Sequence, residues 1–464
     1  MNTYITPNDK GIISDTDSHS IQSAVNEAIK TDVRRVLIPR INERTGKAQW
    51  DIDEAIILSS NIEIVLDNCY IRQTDGTMDN VFRNFNDDAM RSTLEEEQEN
   101  IIIRGVGNAI IDGGVHNGLT QKNSMKDGLP HVEKNNVIRL HNLRGFKLLD
   151  FTILNQRWWA INLNYVEEGY ISGLKIKCDN GSHNLDGIDL RSGCNNIILE
   201  NLFGQAGDDF IALTGFFGSR ESEKYAVKGK SIDIHDIIIK NIVATSAECT
   251  VVALRNQDGV KIYNVTIDTV YDTISSKEKS NTNPCFVFNF DNNAYKSPKS
   301  PYSVIRIGQE GWVNKQPIKL GDVYGIHVTN IHARTNSVIT LNEKIEDSYF
   351  GNIYASDGVD KVVTTKSCRT HQTYGVDMRN VVFENVFYNC KGNEDSIAFD
   401  FDENTKKHTL ENVFIRNAFV GNAANAIVMK HNGTLNVDGL YGSSVKEKII
   451  TAEGGTVLLG GEKV

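Results

Sequence analysis

Short β-branched runs, each broken by Asn, Gly or Asp, recur along most of this chain, and that recurrence limits its folds more than any other feature. GFKLLDFTILN begins at Gly145, EGYISGLKIKC at Glu168 and CNNIILENLFG at Cys194. DGVKIYNVTID follows from Asp258, DVYGIHVTNIH from Asp322 and MRNVVFENVFY from Met378. A unit of this size, repeated many times, is the mark of a solenoid. The units show alternating rather than helical periodicity, so the repeat is a coil of β-structure. One such coil cannot cover its own apolar side. Stacking coils about 4.8 Å apart closes the backbone ladder and makes one continuous core. The expected fold is therefore all-β: a right-handed, single-stranded parallel β-helix. A propeller would need a longer period and Trp-Asp blade motifs, which are missing.

The start of the chain differs. Ile21, Ala24, Val25, Ala28 and Ile29 fall on one helical face, with Asp17 or Ser18 placed to cap it. A strand is predicted over Val33 to Pro39. Residues 1–40 thus read as a short capping helix and lid on a single domain spanning 1–464. Three long inserts leave the repeat as loops: Asp87 to Asn100, Phe216 to Lys230 and Ser275 to Pro301. Such loops gather on one side of a solenoid and line a binding surface.

Composition removes several classes. The 464 residues carry a net charge of -11, which argues against a nucleic-acid partner. No run of eighteen apolar residues exists, so no transmembrane helix is expected. The seven cysteines are an odd number without C-x-x-C spacing, and read as small buried hydrophobes rather than disulfides or a zinc site. The first residues lack a basic stretch followed by an apolar one; this points to a cytoplasmic protein, or a secreted one if a leader has been removed.

Carboxylates supply the candidate chemistry. HNLDGIDLRSGCNNIILENLFGQAGDDFIALT, from His183, holds Asp186 and, about one repeat later, the doublet Asp208-Asp209. Residues one repeat apart are neighbours on adjacent coils. Crowded carboxylates favour retention of a proton by one of them. An acid beside ionised carboxylates is what glycosidic-bond hydrolysis uses. Strict alternation sends Asp208 and Asp209 to opposite faces, unless the turn at Gly207 breaks it. The bland alternative is that these aspartates brace turns. Arg191 and Arg255, near predicted strand ends, are candidates to meet an anionic sugar, and Trp158 or Trp159 to stack on a pyranose. Tyr302 and Trp312 flank Arg306 as walls of the same cleft.

These motifs resemble glycoside hydrolase family 28, the polygalacturonases and rhamnogalacturonases. Asn184-Leu185-Asp186 matches the family's Asn-x-Asp, and Gly207-Asp208-Asp209 its Asp-Asp doublet. ILNQRWWAINLNYVEEGYISGLKI, from Ile153, is similar to the strand and turn preceding the first motif, and DTDSHSIQSAVNEAI to the opening helix of pectin-active β-helices. The resemblance implies an inverting hydrolase without metal or other cofactor, acting on a pectin-like or related polysaccharide or oligosaccharide. Asp209 would be the general acid, with Asp186 and Asp208 holding the attacking water. Two family features are absent. Ser246 to Thr250 stands where the family has Gly-His-Gly, with His183 or His235 as spatial substitutes. Arg306-Ile307-Gly308 stands where it has Arg-Ile-Lys, a carboxylate-binding element. Two other readings fit the same fold. A polysaccharide lyase would use a Lys or Arg base and Ca²⁺ held by the aspartates. A non-catalytic carbohydrate-binding spike would bind without cleavage. The chain leaves its oligomeric state open.

Overall fold

A computed structural model describes residues 3–84, 96–124, 131–178, 184–216, 226–246, 249–257, 259–273, 303–308, 319–334, 337–342, 344–356, 358–365, 376–390, 396–402, 408–445, 447–451 and 454–464. Nearly every strand among them pairs in parallel with the strand one coil away, as a right-handed parallel β-helix requires. An antiparallel pair occurs at the very end, where Leu458 and Leu459 face Lys463 and Glu462. The chain divides into two compact units. One comprises Met1–Asp208, Gly218–Ile232 and Val287–Tyr295, the other Asp209–Phe217, Asp233–Phe286 and Lys296–Val464.

In the first unit, Ile62–Asp67, Gln98–Val106, Ile138–Leu149, Ile161–Ser172 and Asn195–Ala206 stack in register. Ile64, Ile103, Leu148, Ile171 and Leu199 form one column, all without solvent exposure. At Gly169 a Cβ would lie 2.2 Å from the Phe146 ring, so glycine is what lets that ring pack inside. The predicted insert Asp87 to Asn100 needs correction at its end. Gln98–Val106 is strand, because Ile101 and Ile103 continue the buried column. Residues 87–95 of that insert, 217–225 of the second and the whole of the third, 275–301, lie outside the described residues.

The helix spans Asp17–Lys30 and buries Ile21, Ala24, Val25 and Ala28 against Arg35–Ile38, Trp50–Ile52 and Ile56–Ile57. It covers the open end of the first coil, the lid read from sequence. Its cap is Thr16 rather than Asp17 or Ser18. The Thr16 hydroxyl accepts from the His19 N–H at 3.1 Å, while Asp17 turns inward and is buried.

In the second unit, Ile239, Ile267, Val328, Phe350, Phe383, Ile415 and Val437 make the equivalent buried column. Asn330, Asn352, Asn385 and Asn417 turn the chain at φ between 52° and 57°. Each amide donates to the one before it, at 3.1, 3.2 and 3.3 Å, and Asn330 donates to Asp268 at 2.6 Å. Two residues further on, an outer stack runs from Tyr271 through His332, Tyr354, Phe387 and Phe419 to Tyr441, with ring centroids 4.3 to 5.2 Å apart. A groove of about 1140 Å³ follows this stack.

Candidate active site

Backbone hydrogen bonds place the first two acids. In the first unit the Gly207 N–H donates to the Leu185 carbonyl at 2.9 Å, which joins the two motifs on adjacent coils. Asn184 sits at φ 64°, a left-handed conformation Asn tolerates, and its N–H donates to Asp208 Oδ2 at 2.6 Å. The Asp208 carboxylate thus braces the Asn184-Leu185-Asp186 turn while remaining half-exposed. Asp186 is 4% exposed, and its carbonyl accepts from Ala160 N–H and from the Gln156 side chain. The two motifs thus lie one coil step apart, Leu185 and Gly207 joined across it.

Asp209 opens the second unit and is fully buried. Thr250 N–H donates to its Oδ1 at 3.1 Å. Arg255 forms an ion pair with its Oδ2, and the Arg306 guanidinium lies 3.7 Å from the same oxygen. Register explains how Arg306 reaches it. Ala212, Ala253 and Arg306 share one column, so two alanines leave the guanidinium room to fold back over them. Any divalent cation at Asp209 would have to displace these two positive groups.

The same face continues through later coils of this unit. Arg306 is in register with Thr340, Thr340 with Thr364 and Thr364 with Asp400. Lys361 pairs with the fully buried Asp400, and Lys430 Nζ lies 3.7 Å from Asp402 Oδ2. Asn342, 3% exposed, has no hydrogen-bond partner for either side-chain amide atom among the described residues. This polar row was missed in the sequence. Its one written signal is the alternation Asp400-Phe401-Asp402 in a strand that otherwise reads as core.

Comparison with known proteins finds a family model that matches part of the chain. Residues 75–219 match Glycosyl hydrolases family 28. That segment contains both aspartate motifs. No curated protein matches the sequence. Among solved structures, the hyperthermoactive exopolygalacturonase of Thermotoga maritima is 14% identical, with 95% of this chain and 86% of that one covered at a TM-score of 0.50. The family 28 exopolygalacturonase of Yersinia enterocolitica is 14% identical, with 99% and 79% covered at 0.51. A tailspike protein of E. coli bacteriophage HK620, solved with a hexasaccharide, is 10% identical, with 98% and 80% covered at 0.55. At these identities the likeness is one of fold.

The family pattern also shows where this chain departs. Thr250 N–H occupies one oxygen of Asp209 beside the segment that lacks the family histidine; 247–248 and His183 lie outside the described residues. His235 does not replace that histidine. It bonds Asp236 at 2.7 Å and stacks on Tyr263, on a strand of a different register column. His141, in the first unit, is pushed down to about 3 by burial and by Arg139, so it stays a neutral imidazole. The family lysine position, Gly308, has φ 96°, a backbone conformation that lysine rarely adopts.

Two binding candidates need correction. Trp158 is 2% exposed and packs with Leu119, Val132 and Trp159, so it is core rather than a sugar platform. Arg191 is buried with its guanidinium 4.7 Å from the Trp159 ring centroid, a cation–π contact inside the fold rather than an exposed charge. Tyr302 and Trp312 lie outside the described residues. Of the cysteines, Cys69, Cys178, Cys194, Cys249 and Cys390 are buried and form no disulfide. Burial pushes the Cys69 and Cys194 thiols up to about 12, so they are inert hydrophobes there.

Proposed function

We propose that this chain is an inverting glycoside hydrolase of a pectin-related glycan, with Asp186, Asp208 and Asp209 as its working acids. The observation that carries the reading is the bond from Asn184 N–H to Asp208 Oδ2, which locks the first motif to the second. Inverting hydrolysis divides its work between two roles. One acid protonates the departing glycosidic oxygen, while a carboxylate on the opposite side deprotonates a water that attacks the anomeric carbon. Asp208, braced and half-exposed, and Asp186 suit the water-holding role. Asp209 suits the proton-donating role once it has taken up a proton. A guanidinium beside a carboxylate favours its ionised form. The Arg255 pair must therefore open when Asp209 is loaded, and this sets a pH requirement on the reaction.

The test is Asp209→Asn. Purified wild type should release reducing ends from pectic glycans with inversion, seen by NMR of the fresh product anomer. The variant should lose activity by about 10²-fold or more; because it strips Arg255 and Arg306 of their counter-charge its melting temperature should fall, so activity is compared at a temperature where circular dichroism shows both proteins folded. Undiminished turnover in the variant would remove Asp209 from the chemistry. A product absorbing in the ultraviolet, from a new double bond, would replace hydrolysis by elimination.

A further inference from the structure

We infer that Gln156 is a positioning residue for the turn that carries Asp186 and for Asp208 beside it; this rests on the glycosidase reading above and adds a group that sets its geometry. Gln156 lies in the first unit, between the strands Thr152–Leu154 and Ile161–Ser172, and is 3% exposed. Its Nε2 donates to the Leu185 carbonyl and to the Asp186 carbonyl, both at 3.2 Å. Those carbonyls belong to the peptide planes on either side of the Asp186 Cα. Peptide planes are rigid, so how the two are turned against each other fixes the dihedrals at that Cα and the direction of its Cα–Cβ bond. One amide holding both planes therefore aims the Asp186 carboxylate.

The same carbonyls tie in the neighbouring coils. Leu185 also accepts from Gly207 N–H at 2.9 Å and from Asp208 N–H at 3.3 Å, and Asp186 from Ala160 N–H at 3.0 Å. Three successive coils thus meet at this turn, ahead of the strand that starts at Ile188. A primary amide suits the place, since its two hydrogens serve two acceptors where a hydroxyl or a backbone N–H has one. Both carbonyls already have backbone donors, so neither needs Gln156 in order to be satisfied. The pair of carbonyls also fixes which end of the amide is nitrogen. Gln156 Oε1 points the other way, and it has no hydrogen-bond partner among the described residues. A buried acceptor in that state weighs against stability, and an apolar side chain of equal length would serve the fold as well or better. What the amide supplies is the hold on Asp186 and, through Leu185, on Asp208.

The experiment compares wild type, Gln156→Met and Gln156→Glu on pectic glycans, with kcat and KM from reducing-end release and circular dichroism to confirm folding. Gln156→Met keeps the length and removes both bonds. Its kcat should fall by on the order of tenfold or more with KM within about twofold of wild type, because the acids are displaced while the sugar contacts stay. Gln156→Glu places a carboxyl against two carbonyl oxygens. Ionised, it repels them; protonated, it donates to one of them again. Burial and the facing oxygens favour the protonated form, so the activity of this variant relative to wild type should climb as the pH is lowered. A wild-type kcat in folded Gln156→Met, a loss carried by KM alone, or a Gln156→Glu to wild-type ratio that stays flat with pH each overturns the inference and leaves the glycosidase reading intact. Should Gln156→Met not fold, the pH dependence of Gln156→Glu decides; loss of folding in both variants makes Gln156 a support of the fold and likewise overturns the inference. A wild type that cleaves none of the glycans overturns the glycosidase reading and the inference together.

Discussion

At the scale of single residues, the Asp209–Arg255 pair is where this chain departs most from a simple acid site. The carboxylate is fully buried, with one oxygen taken by Thr250 N–H and the other by Arg255. Two accounts of Arg255 make opposite forecasts. If the guanidinium restrains Asp209 from carrying its proton, Arg255→Gln eases protonation, and activity extends to higher pH than in wild type. If Arg255 instead held a substrate carboxylate, the same variant would lose kcat/KM on uronides with no movement of the pH profile. The first outcome is expected. Rates on a neutral glycan between acid and mildly alkaline pH separate the two. The conservative Arg255→Lys keeps a positive charge, but as a point charge without the planar fork, so its profile should fall between those of wild type and Arg255→Gln.

At the scale of elements, the coil turns show how the sequence writes this fold. Asn recurs because each coil must bend at a positive φ, and Asn is among the few residues with a side chain that accept it. Stacked one per coil, the amides then bond to one another. These two contributions can be separated at Asn352, whose φ is 54° and whose amide both donates to Asn330 and accepts from Asn385. Asn352→Gly loses the two side-chain bonds and should cost about 1–2 kcal/mol. Asn352→Ala loses the bonds and also meets the left-handed penalty, so it should be worse by roughly 1 kcal/mol more. Urea unfolding of the three proteins measures both; equal losses would show that the turn carries no backbone strain. The aromatic stack beside these turns obeys the same one-per-coil rule. Its rings lie face to face, with interplanar angles from 1° to 19°, so inner ring faces are covered and mainly edges reach the groove. That geometry packs coils together but offers little face for a pyranose to stack on.

At the scale of the whole chain, legibility follows from what a repeat can encode. The fold was readable because each coil repeats the same constraints, alternating apolar residues and an Asn or Gly turn, so errors in one unit are corrected by the next. The stacking of the Asn184-Leu185-Asp186 turn on Gly207-Asp208 was readable because one repeat in sequence is one coil in space. The partners of Asp209 were not, since they depend on side-chain reach: Arg306 arrives over Ala212 and Ala253, and nothing in their spacing announces it. Trp158 was misread because Leu119 and Val132, which bury it, come from outside the repeat. The same limit applies to the lid, where the sequence gives the helix face but not its anchor. A stack of coils has an apolar end that must be closed, and here one carboxylate fastens the closure. Asp17 accepts from Asn42 Nδ2 at 2.7 Å, from Asp51 N–H at 2.7 Å and from Arg44 at 2.7 Å, all from the segment that follows the first strand. Asp17→Ala leaves a buried amide and N–H unmet and strips Arg44 of its partner, so it should cost about 3 kcal/mol. A Thr16→Ala cap variant loses a single exposed bond and should cost only about 1 kcal/mol. Melting temperatures of the two variants rank them, and binding of a hydrophobic dye below the melt reports whether the end of the first coil has opened. Equal, small shifts with no dye binding would show that the apolar face of the helix holds the lid without its polar anchor.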